Sequence, residues 1–408
     1  MTKTFLGADE DDVVSSDVTL NTVFLAFLRL GLTSFGGPIA HLGYFRDEFV
    51  IRRKWFDEHT YADLVALCQF MPGPASSQLG IAIGLAKAGL SGAFAAWFAF
   101  TMPSAVALML FGLSVSALNE IGGQGWLHGL KIVTVAVVAQ AVWGMARALC
   151  PDRRRVTIMV LAAIVVLAWP SAGRQVATIA AGGLAGLVLL HSAPNGQHVS
   201  LGISIGRRFG IAALAAFFGL LIGLPIVSAT FPSHALAMVD SFYRAGSLVF
   251  GGGHVVLPLL QSAVVEPGWV TNDAFLAGYG AAQAVPGPLF TFAAYLGMVM
   301  TPTPNGWLGG LICLGAIFLP SFLLVVGVLP FWDDLRQLRK VRAALAGINA
   351  AVVGVLLAAL YRPVWTTGIL SAADFGLGLA AFSLLQFWKV PPWLVVVLSA
   401  LGGAALAA

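Results

Sequence analysis

Phe27-Leu-Arg29-Leu-Gly31-Leu-Thr-Ser34-Phe35-Gly36-Gly37 returns later in the chain as Phe242-Tyr-Arg244-Ala-Gly246-Ser-Leu-Val-Phe250-Gly251-Gly252, at a constant shift of 215. Downstream, Gln69-Phe-Met-Pro72-Gly73-Pro74 returns as Gln283-Ala-Val-Pro286-Gly287-Pro288 at a shift of 214, with Trp55 and Trp269 between them at the same shift. Farther on, Met102-Pro103-Ser104 answers Leu319-Pro320-Ser321. The repeated positions are a cation, Gly and Pro breaks and an amide, all embedded in apolar sequence. Paired interrupted hydrophobic segments in two corresponding halves point to a ligand site at a repeat interface inside a membrane.

Composition agrees. Hydrophobic residues make up 59% of the chain and charged residues 10%, against ~25% charged in ordinary soluble domains. The mean hydropathy is +0.89. Uncharged runs such as Gly92–Leu118 and Val176–Leu190 approach or exceed the ~20 residues that cross a bilayer. Residues 1–18 form a hydrophilic tail with Asp9-Glu10-Asp11-Asp12 and a single Lys3. This tail lacks the basic start of a cleaved secretory signal and is expected to be disordered and cytoplasmic. The net charge of +4 follows from Lys and Arg crowding the cytoplasmic loops. No basic stretch alternates with aromatics as a nucleic-acid surface would. Cys68, Cys150 and Cys313 have neither zinc nor disulfide spacing.

The fold expected is an all-α polytopic membrane protein built as an inverted repeat. Residues 19–191 form the first half and residues 233–408 the second, with residues 192–232 as a linker carrying one extra transmembrane helix. Each half opens with two broken segments, Thr19–Leu42 and Thr60–Lys87 in the first, Ala235–Leu260 and Asp273–Met300 in the second. Charge decides their threading. If every segment crosses, the loop with Arg46, Arg52, Arg53 and Lys54 lies outside, against the positive-inside rule. If each broken segment is a re-entrant hairpin, 17 of the 22 Lys and Arg lie inside. The expectation is therefore nine crossings and four hairpins, with the N-terminus inside and the C-terminus outside. Irregular backbone at that depth must be buried by protein or line a wet cavity, which points the hairpins toward a site.

Arg29 and Arg244 are the first candidates for that site. An arginine in hydrocarbon costs ~2.5–3.5 kcal/mol on insertion scales. Asp240 can pair with Arg244 along a helix, but the position matching it is Leu25, so pairing does not explain both repeats. A shared oxyanion site does, because guanidinium presents a fork of donors; snorkelling to an interface is the alternative. Gly36-Gly37 and Gly251-Gly252 permit positive φ. Pro72, Pro74, Pro286 and Pro288 remove donors and break helices. Half-helices meeting there point free N–H groups at an anion. Gln69 and Gln283 either donate to the ligand or cap backbone. His41, His254, Asp63 and Asp240 are candidates for proton coupling, with structural roles as the alternative. Lys131 either snorkels or belongs to the site.

The stretches Leu32-Thr-Ser34-Phe-Gly-Gly-Pro38 with Trp55, Gln69 to Pro74, Phe250 to Gly253, and Gln283 to Pro288 resemble the chromate ion transporter family, in its long two-domain form. The likeness covers about residues 20–405. It implies multi-pass residence in the cell inner membrane and transport of chromate, generally outward, conferring chromate resistance, with sulfate as a chemical look-alike. It implies no cofactor. The family pattern is usually described as all-crossing, so the hairpins expected here depart from it. The repeated residues, Ser34, Gly73 and Gly287 among them, then become the substrate-binding set. Monomer and homodimer stay open.

Physics fits the outward direction. A dianion leaving a cell that is negative inside gains roughly 7 kcal/mol at about 150 mV. The chain has no Walker-type nucleotide loop, so the expected mechanism is secondary. An anion channel would use the same arginines and breaks. A membrane enzyme would need a convergent nucleophile and base or metal ligands, and no His, Asp and Glu cluster is repeated.

Overall fold

The computed structural model describes residues 18–122, 125–169, 171–190 and 205–407. The predicted tail, residues 1–18, lies outside them except for Val18. Among the described residues every regular element is a helix. The four repeated motifs break the chain where the sequence predicts. Ser34–Gly36 separates α1 (Leu20–Thr33) from α2 (Gly37–Arg46), and residues 71–74 separate α3 (Glu58–Phe70) from α4 (Ala75–Gly122). In the second half, residues 249–252 follow α9 (His234–Leu248) and precede a short 3-10 turn and α10 (Val256–Val264). Residues 283–288 part α11 (Asn272–Ala282) from a second such turn and α12 (Phe292–Val299). Every break carries a glycine at positive φ: Gly36 at 100°, Gly73 at 123°, Gly251 at 76° and Gly287 at 96°. A β-carbon is disfavoured in that conformation, which is why glycine recurs at the same shift.

Each broken segment folds back on itself. Phe27 on α1 and Phe49, beyond α2, have ring centroids 5.0 Å apart, whereas a continuous helix would separate them by about 33 Å. The Lys87 ammonium lies 4.4 Å from the Phe56 ring centroid, so the end of the second segment returns to its start. In the second half His234 meets Trp269 at 4.6 Å, and the Tyr295 hydroxyl donates to the Ala274 carbonyl at 2.9 Å. A kink at Ala88 and Gly89 turns the second hairpin into the long outer part of α4.

Cross-contacts agree with that threading. Asp63, early in α3, pairs with Arg336 at 2.6 Å, and Arg336 follows α13 (Gly306–Val328). On the opposite face Asp273 pairs with Lys131 at 3.1 Å, and Asn272 donates to Thr367 at 2.9 Å. All-crossing segments would place the members of each pair on opposite faces of the membrane. The re-entrant reading therefore holds, and Lys131 is held by an ion pair.

Among the described residues five helical stretches are long and apolar enough to cross a membrane, of which residues 125–149 and 207–230 are the shortest. The shorter helices pack across the halves. α6 (Arg153–Ala168) and α7 (Ala172–Leu189) of the first half lie on α15 (Arg339–Ala359) of the second, where a β-carbon at Gly347 would collide with the Gly182 carbonyl. Reciprocally, α18 (Pro392–Ala407) lies on α5 (Gly125–Leu149), where a β-carbon at Gly129 would collide with the Ser399 carbonyl. Gly129 and Gly347 are equivalent positions, as are Gly182 and Ser399. Small residues let membrane helices approach this closely, so the halves are interlocked. α8 (Arg207–Thr230) leans on α13, with Gly327 against Leu214.

Candidate functional site

The four breaks converge at the centre of the molecule. The Gly287 amide donates to the Ser34 carbonyl at 2.9 Å, and the Gly73 amide donates to the Val249 carbonyl at 2.6 Å. Gly73 and Gly287 are repeat mates, as are Ser34 and Val249, so the two bonds are one contact repeated by a pseudo-two-fold relation. Each second hairpin thus holds the first hairpin of the other half. The scaffold behind them repeats too. A β-carbon on Gly31 would lie 2.7 Å from the Ala99 carbonyl oxygen, and one on its mate Gly246 would collide with the Ile317 carbonyl. These carbonyls precede Pro103 and Pro320, whose missing N–H groups loosen α4 and α13 at those turns.

Beside the Ser34–Gly287 bond is a cavity of about 60 Å³, lined by Gly36, Gly37, Gln140, His254, Gln283 and Gly287, with apolar side chains completing it. Its volume suits a small polyatomic ion or a few waters. Gly36 caps α2 without a side-chain hydrogen bond and Pro38 in its first turn has no N–H, so the remaining amides of that helix start carry its partial positive charge, which attracts an anion. The Gln140 amide donates to the Leu385 carbonyl at 3.1 Å. His254 Nδ1 and the Tyr279 hydroxyl are 2.7 Å apart. Among the described residues no Lys, Arg, Asp or Glu lines this cavity.

Ser34 Oγ, Ser77 Oγ, Gln78 Oε1, Thr101 Oγ1 and Ser321 Oγ are buried with no hydrogen-bond partner among the described residues. A buried unsatisfied polar atom costs ~1–3 kcal/mol, and native structures keep few of them. Two belong to the convergence: Ser34 lies in the first break, and a β-carbon on Gly73 would lie 3.2 Å from Ser321 Oγ. Polar atoms at this cost beside broken helices fit an exchanging ligand better than a packed core.

The remaining predicted residues are placed as follows. Arg29 is exposed and has no ion-pair partner among the described residues. Arg244 pairs with Asp240 at 2.6 Å and lines a separate, open basin of about 540 Å³ with Glu266 and Trp269. Neither arginine lines the inner cavity, so the expectation of two arginines around one cavity is not what the geometry gives. Gln69 is exposed near the end of α3. The Pro72 carbonyl accepts from Gln78 Nε2 at 2.6 Å, and the Pro74 carbonyl from the Gln78 amide at 2.9 Å. Pro286 is partly buried in its break, and the Pro288 carbonyl accepts from the Thr291 hydroxyl at 2.8 Å. Gly251 and Gly252 face Met145. His41 is buried, with Nε2 3.1 Å from the Ser34 carbonyl oxygen. Sequence reasoning missed Gln140, Tyr279 and Gln78. A lone amide within an apolar helix was the available signal for Gln140. Among the described residues no group of His, Cys, Asp and Glu could hold a metal ion.

The chain matches the family model described as Chromate transporter twice, over residues 21–187 and 236–404. A chromate transport protein of Pseudomonas aeruginosa is 28% identical, over 96% of this chain and 93% of its own length. A probable chromate transport protein of Synechococcus elongatus is 27% identical, over 92% and 93%. A chromate transport protein of Cupriavidus metallidurans is 26% identical, over 84% and 82%. No solved structure matches.

Proposed function

The chain belongs to the chromate transporter family, and from that premise we propose that it exports chromate from the cytoplasm by a secondary mechanism and so protects the cell. The observation that carries the reading is the cavity at the crossing of four broken helices, rimmed by the start of α2, Gln140 and Gln283. Uncharged donors suit a tetrahedral oxyanion that must enter and also leave, because a fixed cation would hold it too long. The membrane potential supplies the drive, roughly 7 kcal/mol for a dianion at about 150 mV.

The arginines take a place on the path. Arg29 and Arg244 each precede their break by five residues, about 7–8 Å along a helix. Because the halves are inverted, one guards each approach: Arg29 the cytoplasmic side, Arg244 the external basin. Sulfate shares the charge and shape of chromate and is the competing cargo. The test is chromate accumulation in cells carrying the chain and in cells with an empty vector. Lower accumulation and survival at higher chromate doses are expected. Equal accumulation, with the protein present in the membrane, contradicts export, and higher accumulation indicates uptake.

A further inference from the structure

The cavity presents a problem that its own residues answer. Chromate arrives as a dianion, yet among the described residues no permanently charged side chain lines the space. Of the lining residues only His254 can become a cation. We propose that His254 takes up a proton as the oxyanion enters, so that each chromate is bound together with about one proton. This rests on the reading of the cavity as the chromate site, and it names what balances the charge there.

The surroundings of His254 suit that role. Its Nδ1 meets the Tyr279 hydroxyl at 2.7 Å, and Tyr279 is fully buried and ring-packed against Phe292. The hydroxyl donates to Nδ1 in the neutral ring and accepts from it in the imidazolium, so either state keeps this bond. His254 itself lines the cavity, and its other ring nitrogen, Nε2, is not used by the Tyr279 contact. A buried imidazolium without a counter-ion is disfavoured, and a dianion in contact reverses that preference.

The other charged and histidine side chains on the elements around His254 lie outside the cavity lining, among them the Asp240–Arg244 pair of α9 and Lys389, shortly before α18. On α2, His41 is bound to the Ser34 carbonyl, and Arg46 pairs with Glu58. On α5, Lys131 pairs with Asp273 of α11, His128 pairs with Asp374 of α17 (Ala372–Gln386), and Arg147 lies over the Trp143 ring. On α15 the charged residues are Arg339, Lys340 and Arg342, in its first turn; Asn349 is the polar residue beside Gly251. None of these lines the cavity. Protons and chromate therefore meet at one residue, and it belongs to the half whose mate position has no equivalent histidine.

The test uses purified full-length protein in weakly buffered, mildly alkaline solution, where free chromate is the dianion. Chromate binding and the accompanying pH change are recorded together. Wild type is expected to take up about one proton for each chromate bound. His254→Gln should bind roughly tenfold more weakly, without proton uptake. His254→Lys, which keeps a cation, should bind without proton uptake and serves if the Gln variant does not fold. Wild type binding chromate with no proton uptake overturns the proposal, as does His254→Gln taking up protons like wild type. Absence of any chromate binding by wild type overturns the site reading and this inference together.

Discussion

The Gly287 amide donates to the Ser34 carbonyl at 2.9 Å, a bond that ties the second hairpin of one half to the first hairpin of the other. Its mate, Gly73 to Val249, does the same across the pseudo-two-fold relation. Both donors have positive φ. Gly287→Ala adds backbone strain of ~1–3 kcal/mol and presses a β-carbon toward Ser104 Oγ. Transport should fall at least about tenfold in Gly287→Ala and in Gly73→Ala. Gly219→Ala, in α8 with open space around it, should keep wild-type flux. Normal flux in both break variants would show that these bonds are not needed.

The hairpin threading is checked by surface labelling. Cys68, Cys150 and Cys313 are buried, so an added cysteine is read over little background. Asp47→Cys should react from the cytoplasm and Pro267→Cys from outside, both positions being exposed. Labelling of Asp47→Cys only from outside would restore all-crossing segments.

The interlocked packing gives a stability prediction. Gly347→Val and Gly129→Val should each destabilise the protein by about 1–3 kcal/mol or more through overpacking, seen as a lower melting temperature in detergent. Gly376→Ala, with nothing near its α-carbon, should leave it unchanged. Equal melting temperatures would mean the halves do not lock as described.

The repeat, its breaks and the fold-back were legible in the sequence because each has a local cause. Glycine at positive φ, proline without a donor and arginine distribution all leave marks that a single chain shows. The exchange of α6 and α7 for α17 and α18 was not legible, since Gly182, Gly347 and Gly403 look like ordinary small residues until their partners are known. Rarity of charge drew attention to Arg29 and Arg244, but rarity does not locate a residue, and the inner cavity excludes both. Gln140 leaves no mark in the repeat because its equivalent position is Ala358.

The arginines are expected to act on access. Arg244→Lys keeps the charge but loses the planar guanidinium with its fork of donors, and should slow transport roughly tenfold while leaving chromate binding at the cavity within about threefold. Arg29→Lys should behave alike from the other side. Asp240→Asn separates loss of the ion pair from loss of the cation, and protein abundance is measured beside each flux. A collapse of chromate binding in Arg244→Lys at normal abundance would move the site to the basin.

Potential-driven movement of chromate is the central claim, and flux from proteoliposomes measures it directly. Vesicles loaded with chromate are given a potassium diffusion potential, with pH held equal on both sides. An inside-negative potential should accelerate chromate exit through the protein, and Gln140→Ala with Gln283→Ala should reduce it. Chromate exit no faster than from protein-free vesicles at any potential, with the protein inserted and folded, would contradict the account.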